Sequence, residues 1–135
     1  MHTNIFHKSK NGNGLEVANF IKESIEKDSD IIHMKNLEEQ PLKDADCSIF
    51  ICPTYMGSAN WGLKKVLKKI QNHKNGDIYV ILTGSEKKFN IDAINKIFGK
   101  FNMKLVKNPI KVLIKGTKGP IESDYKTQVE DFLKK

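Results

Sequence analysis

The apolar positions of this chain change period as it is read from its amino end, and each change marks an element. Thr3 to His7 is a short strand-like run, and Leu15, Ala18, Ile21 and Ile25 then recur at helical spacing with Val17 beside them. Ile31 to Met34 follows as a second strand. After a polar stretch containing Pro41, the run CSIFIC from Cys47 to Cys52 is almost continuously apolar, the pattern of a central strand buried on both faces. Leu63, Val66, Leu67 and Ile70 predict a helix, Ile78 to Leu82 a strand, Ile91, Ile94, Ile97 and Phe98 a helix, and Ile110 to Ile114 a strand. Val129, Phe132 and Leu133 mark a last helix.

Strands alternating with helices imply parallel units joined by right-handed crossovers, with helices on both faces of the sheet. The expected fold is α/β, a three-layer α/β/α sandwich around a five-stranded parallel sheet. Ligands of such sheets sit beyond the carboxyl ends of the strands, which directs attention to the loops beginning at His7, Cys52, Thr83 and Lys115.

Bulk composition narrows the picture. With 135 residues and 39% hydrophobic content, residues 1–135 suffice for one domain that closes its core without a metal or disulfide. No apolar run approaches the roughly 18 residues that span a bilayer, so a cytoplasmic protein that does not engage membranes is expected. Cys47 and Cys52, at opposite ends of one strand, point to opposite faces and read as reduced thiols. His2, His7, His33 and His73 share no metal-ligand spacing. The net charge of +7 invites a nucleic-acid reading, but the chain contains no arginine, and its lysines are spread over the whole length in pairs such as Lys64-Lys65, Lys68-Lys69, Lys87-Lys88 and Lys134-Lys135. Lysine lacks the planar fork that reads guanine edges, so acidic protein partners are expected rather than nucleic acid.

Two loops carry candidate chemistry. In the first, HKSKNGNGLEV, a helix follows at once, so the Asn-Gly pairs are not a hairpin turn. Ser9, Asn11, Gly12, Asn13 and Gly14 can aim backbone N–H groups and short polar side chains at one point, where the helix dipole favours an anion such as phosphate. The same residues also suit a plain turn in which Asn13 caps the helix. The second, PTYMGSANWG, gathers Tyr55, Met56 and Trp61 at the end of the central strand, as for a planar ligand, or simply to pack the start of the next helix.

In these loops the chain resembles the flavodoxin family, in its short-chain form. The phosphate-loop pattern of hydroxyl residue, any residue, Thr, Gly, any residue, Thr stands here as Ser9-Lys10-Asn11-Gly12-Asn13-Gly14. The second loop is matched by Pro53-Thr54-Tyr55-Met56-Gly57-Ser58 and the third by Thr83-Gly84-Ser85-Glu86, with Phe89 as the nearest aromatic. The resemblance runs from Thr3 to about Leu133. Asn11 and Gly14 replace two hydroxyl residues, which implies weaker phosphate holding, with Lys8 and Lys10 nearby. The basic charge departs from the acidity usual in the family.

The resemblance implies strand order 2-1-3-4-5 and a noncovalently bound FMN for electron transfer in a monomeric carrier with protein redox partners. It places phosphate at Ser9, Lys10, Asn11, Gly12, Asn13 and Gly14, and the flavin ring against Pro53, Thr54, Tyr55, Met56, Gly57, Trp61, Thr83, Gly84, Ser85 and Phe89. The peptide after Met56 would turn to accept a hydrogen bond from the reduced flavin, a turn that Gly57 permits. No side-chain acid or base is required. Two other readings stay open: an FMN-dependent quinone-reductase relative, whose corresponding loop also begins Pro-Thr, and a flavin-free binding module of the same fold. A phosphorylation receiver would need acids where His7-Lys8 and Cys52-Pro53 stand.

Overall fold

The run CSIFIC forms the middle of a sheet. In a computed structural model, which describes residues 2–8, 12–25, 28–37, 42–54, 63–115, 119–122 and 124–134, strand β3 (Cys47–Pro53) lies between β1 (His2–His7) and β4 (Asp77–Gly84). Strand β2 (Asp28–His33) flanks β1, and β5 (Ile110–Leu113) flanks β4, all parallel, in the order β2-β1-β3-β4-β5. Helices α1 (Asn13–Ser24) and α4 (Tyr125–Leu133) cover one face, and α2 (Leu63–Ile70) and α3 (Ile91–Gly99) the other. The expected sandwich and strand order are both found.

Alternation along the central strands divides the core in two. Ile5, Ile49, Ile51, Tyr79 and Ile81 face α1 and α4, whereas Phe6, Phe50, Cys52, Val80 and Leu82 face α2 and α3. In-register Phe6 and Phe50 stack at 4.7 Å between ring centroids, and Phe50 meets Phe98 of α3 edge-on at 5.3 Å. Truncating such a buried ring to alanine costs about 3–5 kcal/mol. Cys47 and Cys52 belong to opposite clusters and are not joined by a disulfide; burial pushes the Cys52 thiol up to about 12.

The helices follow their sequence periods. Helix α2, LKKVLKKI, buries Leu63, Val66, Leu67 and Ile70 and leaves its four lysines outside. Helix α3 is capped by Asn90, whose side-chain oxygen accepts from the Ala93 N–H at 3.0 Å. In α1 the buried stripe is Gly14, Val17, Ala18 and Ile21; Leu15 falls outside it, 39% exposed, and Ile25 lies just past the last turn.

Strand boundaries differ from the expected ones by a residue or two in β1, β3, β4 and β5, and by more at the start of β2. Strand β2 begins at Asp28 rather than Ile31, because pairing with β1 sets Asp28, Ser29 and Asp30 beside His2, Thr3 and Asn4, where polar groups satisfy one another. Met34 leaves the strand for a single 3₁₀ turn, Met34–Asn36. Beyond β5, Ile114 leaves the strand for an isolated antiparallel bridge with Ile121 while staying packed against the α1/α4 core. Among the described residues no helix is long and apolar enough to cross a membrane.

Candidate functional site

Parallel strands bring their carboxyl ends to one edge, where the loops after β1, β3, β4 and β5 open. At the first, Gly12 holds the cap position of α1 with φ 86°, a left-handed conformation costly for other residues, and among the described residues no side chain caps the helix. Asn13 therefore does not cap α1. It is already helical, and its carboxamide lies against Gly119 in the loop after β5. The positive end of the helix dipole is left facing the loop.

His7 closes β1, the strand that precedes this helix, with only 5% of its surface exposed. Its Nδ1 has no hydrogen-bond partner among the described residues. The ring meets His33 edge-on at 4.7 Å, and His33 Nδ1 accepts from the Lys35 N–H at 3.1 Å. Burial first, and the neighbouring His33 second, push His7 down to about 4, so it is neutral at neutral pH. No motif links the two histidines. The signal that finds them is that each ends a strand, and parallel register sets His7 opposite His33. Lys8 comes close enough to Cys52 to oppose the effect of burial on that thiol, which adds a cation to this edge.

The second and third loops are tied together. Thr54 donates twice to the Thr83 carbonyl, from its N–H at 2.8 Å and its hydroxyl at 3.0 Å. Pro53, half-buried, pairs with Thr83 across the sheet. At Gly84 a Cβ would stand 2.2 Å from Thr54 Oγ1 and 2.9 Å from Lys111 Cε, so only glycine allows these three groups to meet. Lys111 was not among the expected site residues. It is 7% exposed, and its ammonium donates to the Lys88 carbonyl of the third loop at 3.2 Å. Burial lowers its pKa, against a smaller opposing effect from Glu86. A lysine between apolar residues in the short strand IKVL is the trace it leaves in the sequence.

The expected site residues separate into three groups. Thr54, Thr83 and Gly84 are in mutual contact, with Ser85 exposed just beyond, while Gly12, Asn13 and Gly14 form the start of α1. Phe89 is half-buried against the α2/α3 core and borders, with Lys111, Leu113 and Tyr125, a cleft of about 540 Å³ alongside β5. Ser9, Lys10 and Asn11 in the first loop, and Tyr55, Met56, Gly57 and Trp61 in the second, lie outside the described residues. Among the described residues no group of three or more histidine, cysteine, aspartate or glutamate side chains is placed to hold a metal.

A family model described as a flavodoxin domain matches residues 4–134. The chain belongs to the flavodoxin family. Solved structures share the flavodoxin fold with it at low identity. One is the rubredoxin oxygen:oxidoreductase of Desulfovibrio gigas, with a TM-score of 0.70 at 16% identity over 97% of this chain and 35% of that one. The Fusobacterium nucleatum flavodoxin bound to flavin mononucleotide scores 0.56 at 16% identity over 98% and 99%. The Lactobacillus acidophilus flavoprotein in complex with FMN scores 0.57 at 18% identity over 98% and 99%. The chain spans about a third of the length of the Desulfovibrio protein and of a Synechocystis flavodiiron core. A comparison with curated proteins returned no match.

Proposed function

We propose that this flavodoxin-family protein binds FMN noncovalently at the carboxyl edge of its sheet and acts as an electron carrier, without a substrate of its own. The observation that carries the proposal is the buried Nδ1 of His7, without a partner among the described residues, at the end of the strand that leads into α1, whose start no described side chain caps. Buried polar atoms in folded proteins nearly always have partners, and one left open at a strand end suits a bound polar group. The amides of the first turn, with Gly12 and Gly14 offering no obstructing side chain, would hold the phosphate, and Lys8 adds compensating charge.

Bound FMN would supply one- and two-electron redox chemistry, while the protein sets orientation and potential. Thr54, Thr83, Gly84 and the buried ammonium of Lys111 brace the third loop, fixing the wall against which a planar ring would rest. Met56 and Gly57 are proposed to face the ring from the second loop, as the family's motif implies. Tyr55 or Trp61 would cover a ring face. Two cysteines on opposite faces of the sheet, held as thiols, suit a cytoplasmic protein.

One observation favours a flavin-free binding module instead: Phe89, the aromatic nearest the third loop, packs on the core. Titration of the flavin-free protein with FMN, followed by flavin fluorescence with riboflavin as the control lacking phosphate, separates the two. Saturable quenching, tighter for FMN, is expected. Equal affinity for riboflavin would place the phosphate elsewhere, and no binding of either would leave the binding-module reading in its place.

A further inference from the structure

The chain's net charge of +7 is distributed unequally between the two helical layers. Helix α2 carries Lys64, Lys65, Lys68 and Lys69 and no acid; α3 carries Lys96 and Asp92, and Lys100 follows it directly. All are exposed, and six lysines against one carboxylate supply five of the seven net positive charges. Helices α1 and α4 run the other way. Each has two acids against one lysine: Glu16 and Glu23 with Lys22, and Glu130 and Asp131 with Lys126.

Several lysines elsewhere are engaged. Lys22 donates to the Ser29 carbonyl at 2.6 Å, Lys74 pairs with Asp46 at 2.9 Å, Lys107 donates to the Phe132 carbonyl at 3.0 Å, and Lys134 pairs with Asp131 at 3.4 Å. Lys126 lies over the ring of Phe20. On the α2/α3 face, Lys64, Lys65, Lys68, Lys96 and Lys100 have no acceptor among the described residues. Lys64 and Lys96 crowd Lys100 enough to hold its ammonium below the usual lysine range. Like charges gathered on one face with a single acid among them are mutually unfavourable, and a polyanionic partner relieves that repulsion.

We infer that the outer face of α2 and α3 is a docking surface for an acidic protein, met in a short-lived, charge-steered complex. That this protein exchanges electrons with the chain rests on the carrier reading above. The position suits exchange, because α2 follows the second loop and α3 follows the third. The described residues of this face expose no large apolar side chain; Leu15 and Val106, the exposed ones, lie on neither helix. Its described residues therefore offer no wedge of the kind a membrane surface takes and no aromatic platform on which bases stack. Lysine without arginine also suits steering rather than tight bidentate anchoring.

The test uses two charge-matched variants of the flavin-free chain, Lys64→Gln/Lys68→Gln/Lys100→Gln and Lys22→Gln/Lys126→Gln/Lys134→Gln, with amide NMR dispersion verifying their folds. Each is titrated with a poly-glutamate peptide, with duplex DNA and with phosphatidylglycerol vesicles. The peptide is expected to shift amides of α2 and α3, to lose its effect between about 0.02 M and 0.3 M salt, and to bind the first variant about tenfold more weakly than the second. Equal losses in both variants would reduce the effect to net charge and overturn the surface. Tighter binding of DNA or vesicles to the same face would replace the protein partner by that one, and peptide shifts elsewhere would also overturn the assignment. Because no flavin is present, a failure of FMN to bind would be seen separately and would remove only the redox role of the partner.

Discussion

The two ends of β1 each carry a histidine, and the two are treated in opposite ways. At the amino end, His2 Nδ1 meets Asp28 Oδ2 at 2.9 Å, while Nε2 meets Asn4 Oδ1 at 2.9 Å and Asp30 Oδ2 at 3.2 Å. Its backbone N–H donates to Asp46, which in turn pairs with Lys74. Every polar group named there has a partner within the protein. At the carboxyl end, His7 is buried with no partner for Nδ1 among the described residues, no described side chain caps the helix that follows, a lysine is buried under a loop, and a glycine is squeezed between two side chains. A sheet edge built only for stability would resemble the first. The amino edge has a tight glycine too, Gly76 against the Asp46 carbonyl, and a buried Asn75 Oδ1 without a partner among the described residues; what sets the carboxyl edge apart is the buried imidazole of His7 and the buried ammonium of Lys111, at the edge where open sheets of this kind hold ligands.

The largest expected effect separates the two ends by pH. His7 has a folded pKa of about 4 against 6.5 unfolded. Between those values the unfolded state binds the extra proton, so the stability that neutral His7 preserves is complete above about pH 6.5 and falls as pH drops toward 4, by up to about 3 kcal/mol. His7→Gln should flatten urea midpoints across that window. At the other end, Asp28 is held below the usual carboxylate range chiefly by the hydrogen bond from His2, and Asp46 by the one from Lys74. Their contribution is present above the usual aspartate range and disappears only as pH falls through the lowered values. A single acid transition below pH 4, unaffected by His7→Gln, would break the comparison.

Gly84→Val comes next. Its side chain would enter the space of Thr54 Oγ1 and Lys111 Cε, costing about 1–3 kcal/mol in denaturant unfolding and weakening FMN at least about tenfold. Lys111→Met removes the ammonium that holds the Lys88 carbonyl; a cost of about 1 kcal/mol is expected, with faster amide exchange over residues 85–89 and weaker FMN binding. Asp28→Asn should have the smallest effect on the site: FMN affinity unchanged, with only the acid limb of the stability profile moved. Loss of FMN binding in that variant would erase the distinction between the ends.

The layers of the fold were legible wherever burial alone sets the pattern. CSIFIC had to be central, and LKKVLKKI had to bury one stripe, because no other arrangement removes those side chains from water. Legibility ended where pairing rather than hydrophobicity decides. Asp28, Ser29 and Asp30 read as loop, since nothing in the local pattern shows that β1 offers them partners. Leu15 reads as core until the helix start at Asn13 rotates it outward. Of the site, the loops and their glycines were visible as motifs. His7 with His33, and Lys111 with Gly84, come from separate strands and meet only through register, which a one-dimensional period does not contain.

The central claim, that the carboxyl edge holds the ligand while the amino edge only stabilises, is tested most directly by NMR titration of the isotope-labelled, flavin-free protein with FMN. The His7 ring and the amides of Gly12, Gly84 and Ser85 should shift and saturate together, with riboflavin moving the third-loop set more weakly, while His2 and Asp46 stay in place. Shifts centred on His2 and Asp46, or saturation that leaves His7 and Gly84 unmoved, would contradict the account.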